Sequence, residues 1–367
     1  PEPTIGANSD TQADDHFSIS TWTGDDSFPR QITTGLSSSD WIITKYYNQN
    51  VGGVSYDSSR GAGTGNDLPI NSSGAEEANS GSAFGHVSDF NNDNNGVTLA
   101  DGSVNGAFVN SDGGLHVMYA WKANDGTATA TISESGDNPA AVVQANPTAG
   151  FSLITYTGTG DAGTIAHGLG AVPTMMIIKN RDVADAWAVY HGANTAAPAT
   201  DYLVLNTTAA TADAATYWAD TAPTSSVFTV HDAHSVNADG EKYVAYVFAD
   251  VEGYSKMGGY TGNGNADGAF VFTGFRPAWV MVKRTSDTGS WVIMDNKRKT
   301  FNFNNALLYP NLSDAANSND GYNGTDFLSN GFKIRGGASG VGTDVSGASS
   351  YLYMAFAEAP FKYATAK

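Results

Sequence analysis

Three stretches of this sequence repeat one unusual phrase: KYVAYVFAD (242–250), SYLYMAFAE (350–358) and the looser LHVMYAWKA (115–123). Strand side chains alternate, so Val244, Tyr246 and Phe248 share one face and Tyr243, Ala245 and Val247 the other. Both faces are apolar. A strand greasy on both sides has to be covered on both sides. It sits centrally in a sheet, or between its own core and a neighbouring unit.

The phrase closes a longer repeated order of blocks. FSISTWTG (17–24), FSLITYTGTG (151–160) and YSKMGGYTGNG (254–264) each run from an aromatic-Ser opening to a Thr-Gly turn. DWIITKYYN, TMMIIKNRD and AWVMVKRTS follow, each an apolar run closed by Lys45, Lys179 or Lys283. Later blocks end in Asn71, Asn206 and Asn311, each followed by Ser or Thr two residues on. Trp187 and Trp291 hold matching places and read as core.

The short apolar segments are separated by Gly, Asn, Asp, Ser and Pro, the spacing of antiparallel sandwiches. The expected fold is all-β: three tandem antiparallel β-sandwich domains, jelly-roll-like, with at most one short helix each. Residues 1–15 form an N-terminal arm, 16–123 the first repeat, 124–149 a linker, 150–250 the second repeat and 251–367 the third with a C-terminal tail. The linker is expected to hold at most one strand. The Ala-rich stretch 209–218 is the candidate helix, capped by Asn206 or Thr207. The short DVEGY join at 250–254 predicts rigid coupling of the second and third repeats.

Composition narrows the function classes. The 367 residues are 41% hydrophobic, enough for ordinary cores. A formal charge of -19 is the wrong sign for duplex nucleic acid. There is no cysteine, which excludes disulfides and thiolate chemistry. No apolar run spans a bilayer, and membrane insertion is not expected. PEPTIGANSD has neither a basic start nor an apolar core; it reads as an interior point of a longer or processed chain rather than a signal peptide.

GTGDAG (158–163) spells G-x-G-x-x-G, but Gly and Pro follow where a phosphate-holding helix should open, so it reads as a turn. His231 and His234 would face opposite ways on a strand. Asn91, Asp93, Asn95 and Gly96 imitate a calcium loop whose twelfth position is Gly102, not Glu. His167 has no obvious nucleophile beside it. The Asn-x-Ser/Thr triplets at Asn71, Asn206 and Asn311, with Asn323 outside that register, read as structural caps. No catalytic, cofactor-binding or metal-ligating residue is nominated, and no cofactor. The recognition candidates are the paired aromatics Tyr46, Tyr47, Tyr217 and Trp218, as contacts to a ligand or to a neighbouring unit.

The blocks GFSLITYTGTGDAGTIAHGLGAVPTMMIIKNRD, YLVLNTTAA, NADGEKYVAYVFADVEGYSKMGGYTGNG and GFRPAWVMVKRTSDTGSWVIMDNKR resemble repeat modules of structural proteins from tailed bacteriophages, especially marine ones. The likeness runs from DTQADDHFSISTWTG to YMAFAEAPFKY. It implies a non-enzymatic part of a virion, a tail fibre or similar surface appendage that serves assembly and host attachment. The partners implied are copies of the chain itself (a homo-oligomer, with a trimer in view), other virion structural proteins and a host glycan or receptor. The alternatives are a carbohydrate- or receptor-binding module with exposed aromatic loops, a capsid-surface decoration protein, and, most distantly, an envelope-sugar depolymerase.

Overall fold

A computed structural model describes residues 13–76, 81–90, 95–316, 323–336 and 349–358. The architecture is all-β, built from multiple antiparallel sheets. Residues 1–12 of the proposed arm, part of the Asn-rich loop with Asn91 and Asp93, and the tail beyond Glu358 lie outside the described residues, while the arm's last residues, Ala13–Asp15, form a 3-10 turn that buries Ala13 in the core.

In the first unit, β1 (Phe17–Thr23), β3 (Trp41–Tyr46), β4 (Val54–Asp57), β5 (Leu68–Pro69) and β8 (Leu115–Trp121) form one sheet in the order β1-β8-β3-β4-β5. A smaller sheet of β2 (Arg30–Thr33), β6 (His86–Asp89) and β7 (Gly96–Ala100) has the order β2-β7-β6, and one helical turn, α1 (Gly81–Phe84), precedes β6.

The second unit repeats this plan. Its main sheet runs β16-β15-β14-β13-β18-β11-β10-β9, made from β9 (Ala130–Ile132), β10 (Ala141–Asn146), β11 (Phe151–Thr157), β13 (Met175–Asn180), β14 (Trp187–His191), β15 (Asp201–Val204), β16 (Ala212–Asp213) and β18 (Lys242–Phe248). Its small sheet pairs β12 (Gly163–Ala166) with β17 (Val227–Val230).

In the third unit, β19 (Ser255–Thr261), β21 (Pro277–Arg284), β22 (Val292–Asp295) and β25 (Ser350–Ala357) give β19-β25-β21-β22. The small sheet is β20-β24-β23, from β20 (Asp267–Phe272), β23 (Asn323–Leu328) and β24 (Gly331–Gly336). In every unit the closing strand lies between the opening strand and the lysine strand.

The doubly apolar phrase is thereby explained. Tyr246 and Phe248 face a cluster that draws side chains from all three units. Tyr243, Ala245 and Val247 face the small sheet of their own unit with Ile165, Phe228 and Val230. Val117, Tyr119 and Trp121 point to the shared cluster, whereas Met118 and Ala120 join Ile32, Val97 and Leu99 outside it. The units are therefore not beads with private cores. Trp41 stacks on Trp121 at 4.4 Å and on Tyr246 of the second unit at 4.2 Å. Phe17 stacks on Phe356 of the third unit at 4.8 Å. Each such aromatic pair adds roughly 0.5–1.5 kcal/mol beyond its burial.

Three expectations need correction. The segment 124–149 is no tether. Its β9 and β10 extend the second unit's main sheet along β11, because β11's outward-facing backbone groups need partners. Its start is pinned by buried Asp40, whose carboxylate accepts the N–H groups of Ala123, Asp125 and Gly126. The Ala-rich helix shrinks to α2 (Ala215–Trp218), with Ala214 at its N-cap and no side-chain cap, so Asn206 and Thr207 do not start it. Ala212 and Asp213 pair as β16 instead. A second one-turn helix follows in the same unit, α3 (His234–Asn237). The DVEGY join is tight: Tyr254 is buried and Val251 bridges to Ser255.

Candidate functional site

A recurring set of buried polar groups lies at the seams between units, where the repeated lysine and asparagine blocks meet. Lys179 donates to the Ser73 carbonyl of the first unit at 3.2 Å. Lys283 donates to the Thr208 carbonyl of the second at 3.1 Å. Lys45 donates to the Leu312 carbonyl of the third at 2.7 Å, closing the circle. A matching backbone bond sits two residues past each lysine. Glu76 N–H donates to Arg181, Thr211 N–H to Thr285, and Ala316 N–H to Tyr47. The donor lies three residues past the lysine's acceptor at two seams (Ser73 to Glu76, Thr208 to Thr211) and four past it at the third (Leu312 to Ala316), so one chain makes a near-threefold arrangement of its own parts.

All three ammonium groups are essentially inaccessible to water. Burial pushes the pKa of each down to about 8. Carbonyl acceptors keep a buried ammonium tolerable by replacing its water shell. A second carbonyl completes each site: Val51 for Lys45, Asn180 for Lys179 and Gly289 for Lys283.

The repeated asparagines are structural, as expected. Asn206 Oδ1 accepts the Trp187 N–H at 2.9 Å and Asn311 Oδ1 accepts the Trp291 N–H at 3.0 Å. Each tryptophan in turn donates its indole N–H across a seam, Trp187 to Pro69 and Trp291 to Val204, both at 2.9 Å. The first unit has Gly53 at the matching position, where the Ile70 side chain fills the space a Cβ would need. Asn71 lies against Gly52.

A second seam element is ionic. Arg60 pairs with Asp57, and Tyr246 of the second unit donates its hydroxyl to the same carboxylate at 2.7 Å. Arg298 pairs with Asp295 at 2.5 Å, and Tyr119 of the first unit donates to it at 2.7 Å. At the third seam, His191 stands where Asp57 and Asp295 would, and Met354 replaces the tyrosine. His191 places Nε2 3.2 Å from the Tyr353 carbonyl. Burial lowers its pKa to about 4, so it is neutral at pH 7. Loss of the carboxylate and loss of the tyrosine go together, since either alone would leave a buried polar group poorly satisfied.

The nominated aromatics fall into different places. Tyr46 is half-buried beside His116, 4.7 Å between rings, and Trp22 stacks on the other side of that imidazole at 5.4 Å. Tyr47 packs against the shared cluster, with the Arg298 guanidinium of the third unit 5.8 Å from its ring, so it is a seam contact. Tyr217 stacks on Tyr202 at 3.7 Å. Trp218 is corrected: it is 1% exposed and donates its indole N–H to Asp201 at 2.9 Å. An interior side chain of this kind fills a core and cannot stack on a ligand.

The weaker motifs resolve locally. Gly163 starts a strand, not a helix, and a Cβ there would lie 1.9 Å from the Asp137 carbonyl oxygen. Close chain approach explains the glycines. His231 contacts the Ala215 carbonyl, while His234 lies between Asp185 at 2.8 Å and Glu241 at 3.3 Å. The two histidines thus have separate partners, and no group able to hold a metal ion occurs among the described residues. His167 contacts the Thr224 carbonyl. A cleft of about 640 Å³ opens between the first and third units, with Asp14, Asp15, Ser18, Ser20, Lys297 and Glu358 in its lining.

Sequence reasoning missed the seam function of Lys45, Lys179 and Lys283. A lysine closing an apolar run in every copy was the available signal.

Residues 12–360 match the family described as a domain of unknown function (DUF7483). No curated protein matches the chain.

Proposed function

We propose a structural role for this chain, which belongs to the DUF7483 family: a non-enzymatic component of a tailed-phage virion, as a tail fibre or similar surface appendage that contributes to assembly and host attachment. The observation that carries the reading is the placement of the buried polar groups. Lysines, asparagines, tryptophan N–H groups and Asp–Arg pairs converge between units, where they lock three sheets into one body. A particle part has to keep its shape outside the cell, and strand-rich bodies with many long-range contacts open slowly. The module resemblance points the same way.

The test is made on purified particles of the phage that encodes the chain. Mass spectrometry should find the protein at a fixed copy number, and antibodies against it should decorate the tail or its tip. Its absence from washed particles would overturn the proposal. Decoration of the head alone would move the protein to the capsid surface.

The stack of Trp22, His116 and Tyr46 favours a second reading, a glycan- or receptor-binding module. Trp22 and Tyr46 stay half-buried near the Gly113–Gly114 turn, with the buried His116 between them. Glycan-array binding that Tyr46→Ala removes would support it, and a blank array would count against it.

A further inference from the structure

The small sheets face outward, and their first strands are edges. An open edge is a template for another strand, so its treatment matters. In the first unit the chain closes the edge itself: Ser20 and Ser18 of β1 donate hydroxyls to the carbonyls of Thr33 and Thr34 beside β2. In the second unit, Asn138 accepts the outward N–H of Thr164 in β12 at 2.7 Å. The solvent faces there are polar, with Gln31 and Thr33 in one and Thr164 in the other.

The third unit differs on both counts. Thr273 N–H donates to Asn330, and Val271 stands opposite Phe332 in the ladder. The antiparallel alternation then aims the N–H and C=O groups of Phe270 and Phe272 away from β24, toward the open edge. Among the described residues no side chain reaches across to them as Ser20 or Asn138 does in the other units. The same two residues expose their rings, Phe270 at 46% and Phe272 at 63%. The segment GAFVFTG (268–274) carries no charge and no proline.

The geometry points to β20 as a self-association edge at which a second copy of this chain pairs antiparallel about Val271. Phe270 of each copy then stands opposite Phe272 of the other, and two small sheets join into one. Such an interface is isologous, with the same strand on both sides of a twofold axis. Local charge permits it. Each copy bears a net charge of -19 and repels another over most of its surface. Beside β20, however, Asp267 and Asp326 are matched by Lys333 and Arg335 through ion pairs of 2.6–3.1 Å. The outer face is neutral where the strand is open. Opposed phenylalanines add cross-strand packing.

This inference rests on the edge geometry and not on a virion role, so the two fail separately. The whole chain is measured by sedimentation at rising concentration. A dimer is expected, and Phe270→Lys with Phe272→Lys should weaken it at least tenfold. Both side chains are exposed, and an unchanged circular dichroism spectrum would show that the fold is kept. Thr164→Lys in the second unit should leave the dimer intact. The register has its own test, because the sequence contains no cysteine. Mixed Phe270→Cys and Phe272→Cys copies should form a disulfide, since residues opposite each other in a hydrogen-bonded pair have Cα atoms about 5.5 Å apart. Either variant alone should not, because like positions lie about 8 Å apart on the diagonal. A monomer at high concentration, or a dimer indifferent to the lysines, would overturn the inference. So would equal cross-linking in the mixed and single-variant samples.

Discussion

Tyr246→Phe removes one oxygen atom and tests whether the seams make the three units a single cooperative body. The ring keeps its stack on Trp41 at 4.2 Å, so packing is preserved. What is lost is the hydroxyl bond to Asp57, 2.7 Å long and fully buried. Asp57 retains Arg60, so no bare charge remains. A hydrogen bond to a charged group contributes about 1.5–3 kcal/mol; about 2 kcal/mol is expected here. The shift in melting temperature then depends on how much of the chain unfolds together. Unfolding entropy is about 2.1 cal/mol/K per residue. If the 367 residues melt as one, the entropy is about 0.8 kcal/mol/K and the shift only about 3 °C. If the second unit melted alone, with about 100 residues, the shift would be about 9 °C and confined to one of several transitions. Differential scanning calorimetry distinguishes these outcomes. A resolved early transition that moves alone would refute the shared-core reasoning, because a core drawn from all three units cannot melt by thirds.

Three further outcomes follow from the same geometry. Stability should rise with pH from about 8 to 10: burial lowers the three seam lysines from 10.5 to about 8, so the unfolded chain binds more protons across that window. The cost of burying their charge is full below pH 8 and fades above it, by about 1–3 kcal/mol per lysine; above pH 10 the slope reverses, because burial raises Tyr119 and Tyr246 well above 10 and the folded chain keeps protons that the unfolded chain loses. Urea midpoints at pH 7.5, 9 and 11 check both signs. Trp218→Ala should cost about 3–5 kcal/mol by denaturant titration through its cavity and unpaired Asp201 carbonyl, whereas Tyr46→Ala, at a half-buried rim, should cost clearly less. Gly163→Ala should cost at least about 2 kcal/mol, since its new methyl would meet the Asp137 carbonyl, and an unchanged urea midpoint would contradict the close approach.

Several features of the candidate site were legible in the sequence, and others were hidden for identifiable reasons. Asn206 and Asn311 announced a structural task by recurring in register, and each caps a strand N–H. Trp187 and Trp291 announced burial by matching position, but nothing local showed that their indole N–H groups reach into the preceding unit. Trp218 looked exposed because it lies in a polar, Ala-rich stretch. Tertiary packing on Tyr190 and a bond to Asp201 draw it inside. The strands at 130–132 and 141–146 are short and lie among the Gly, Asp, Asn and Pro residues of a linker-like stretch, and they form because β11 offers a ladder to complete.

Taken by itself, the sequence determined the repeated apolar strands: alternation over a few residues fixes which side chains share a face, and two apolar faces demand two covers. It also determined that the plan is written three times. Only the tertiary structure decided what the inner cover would be. Lys45 finds its acceptor at Leu312, 267 residues away, and Tyr119 finds Asp295 across 176. Short-range periodicity carries no information about such pairs. They exist because three equivalent apolar faces lower their free energy most by meeting one another, and the groups buried in that meeting must then find partners across the seams.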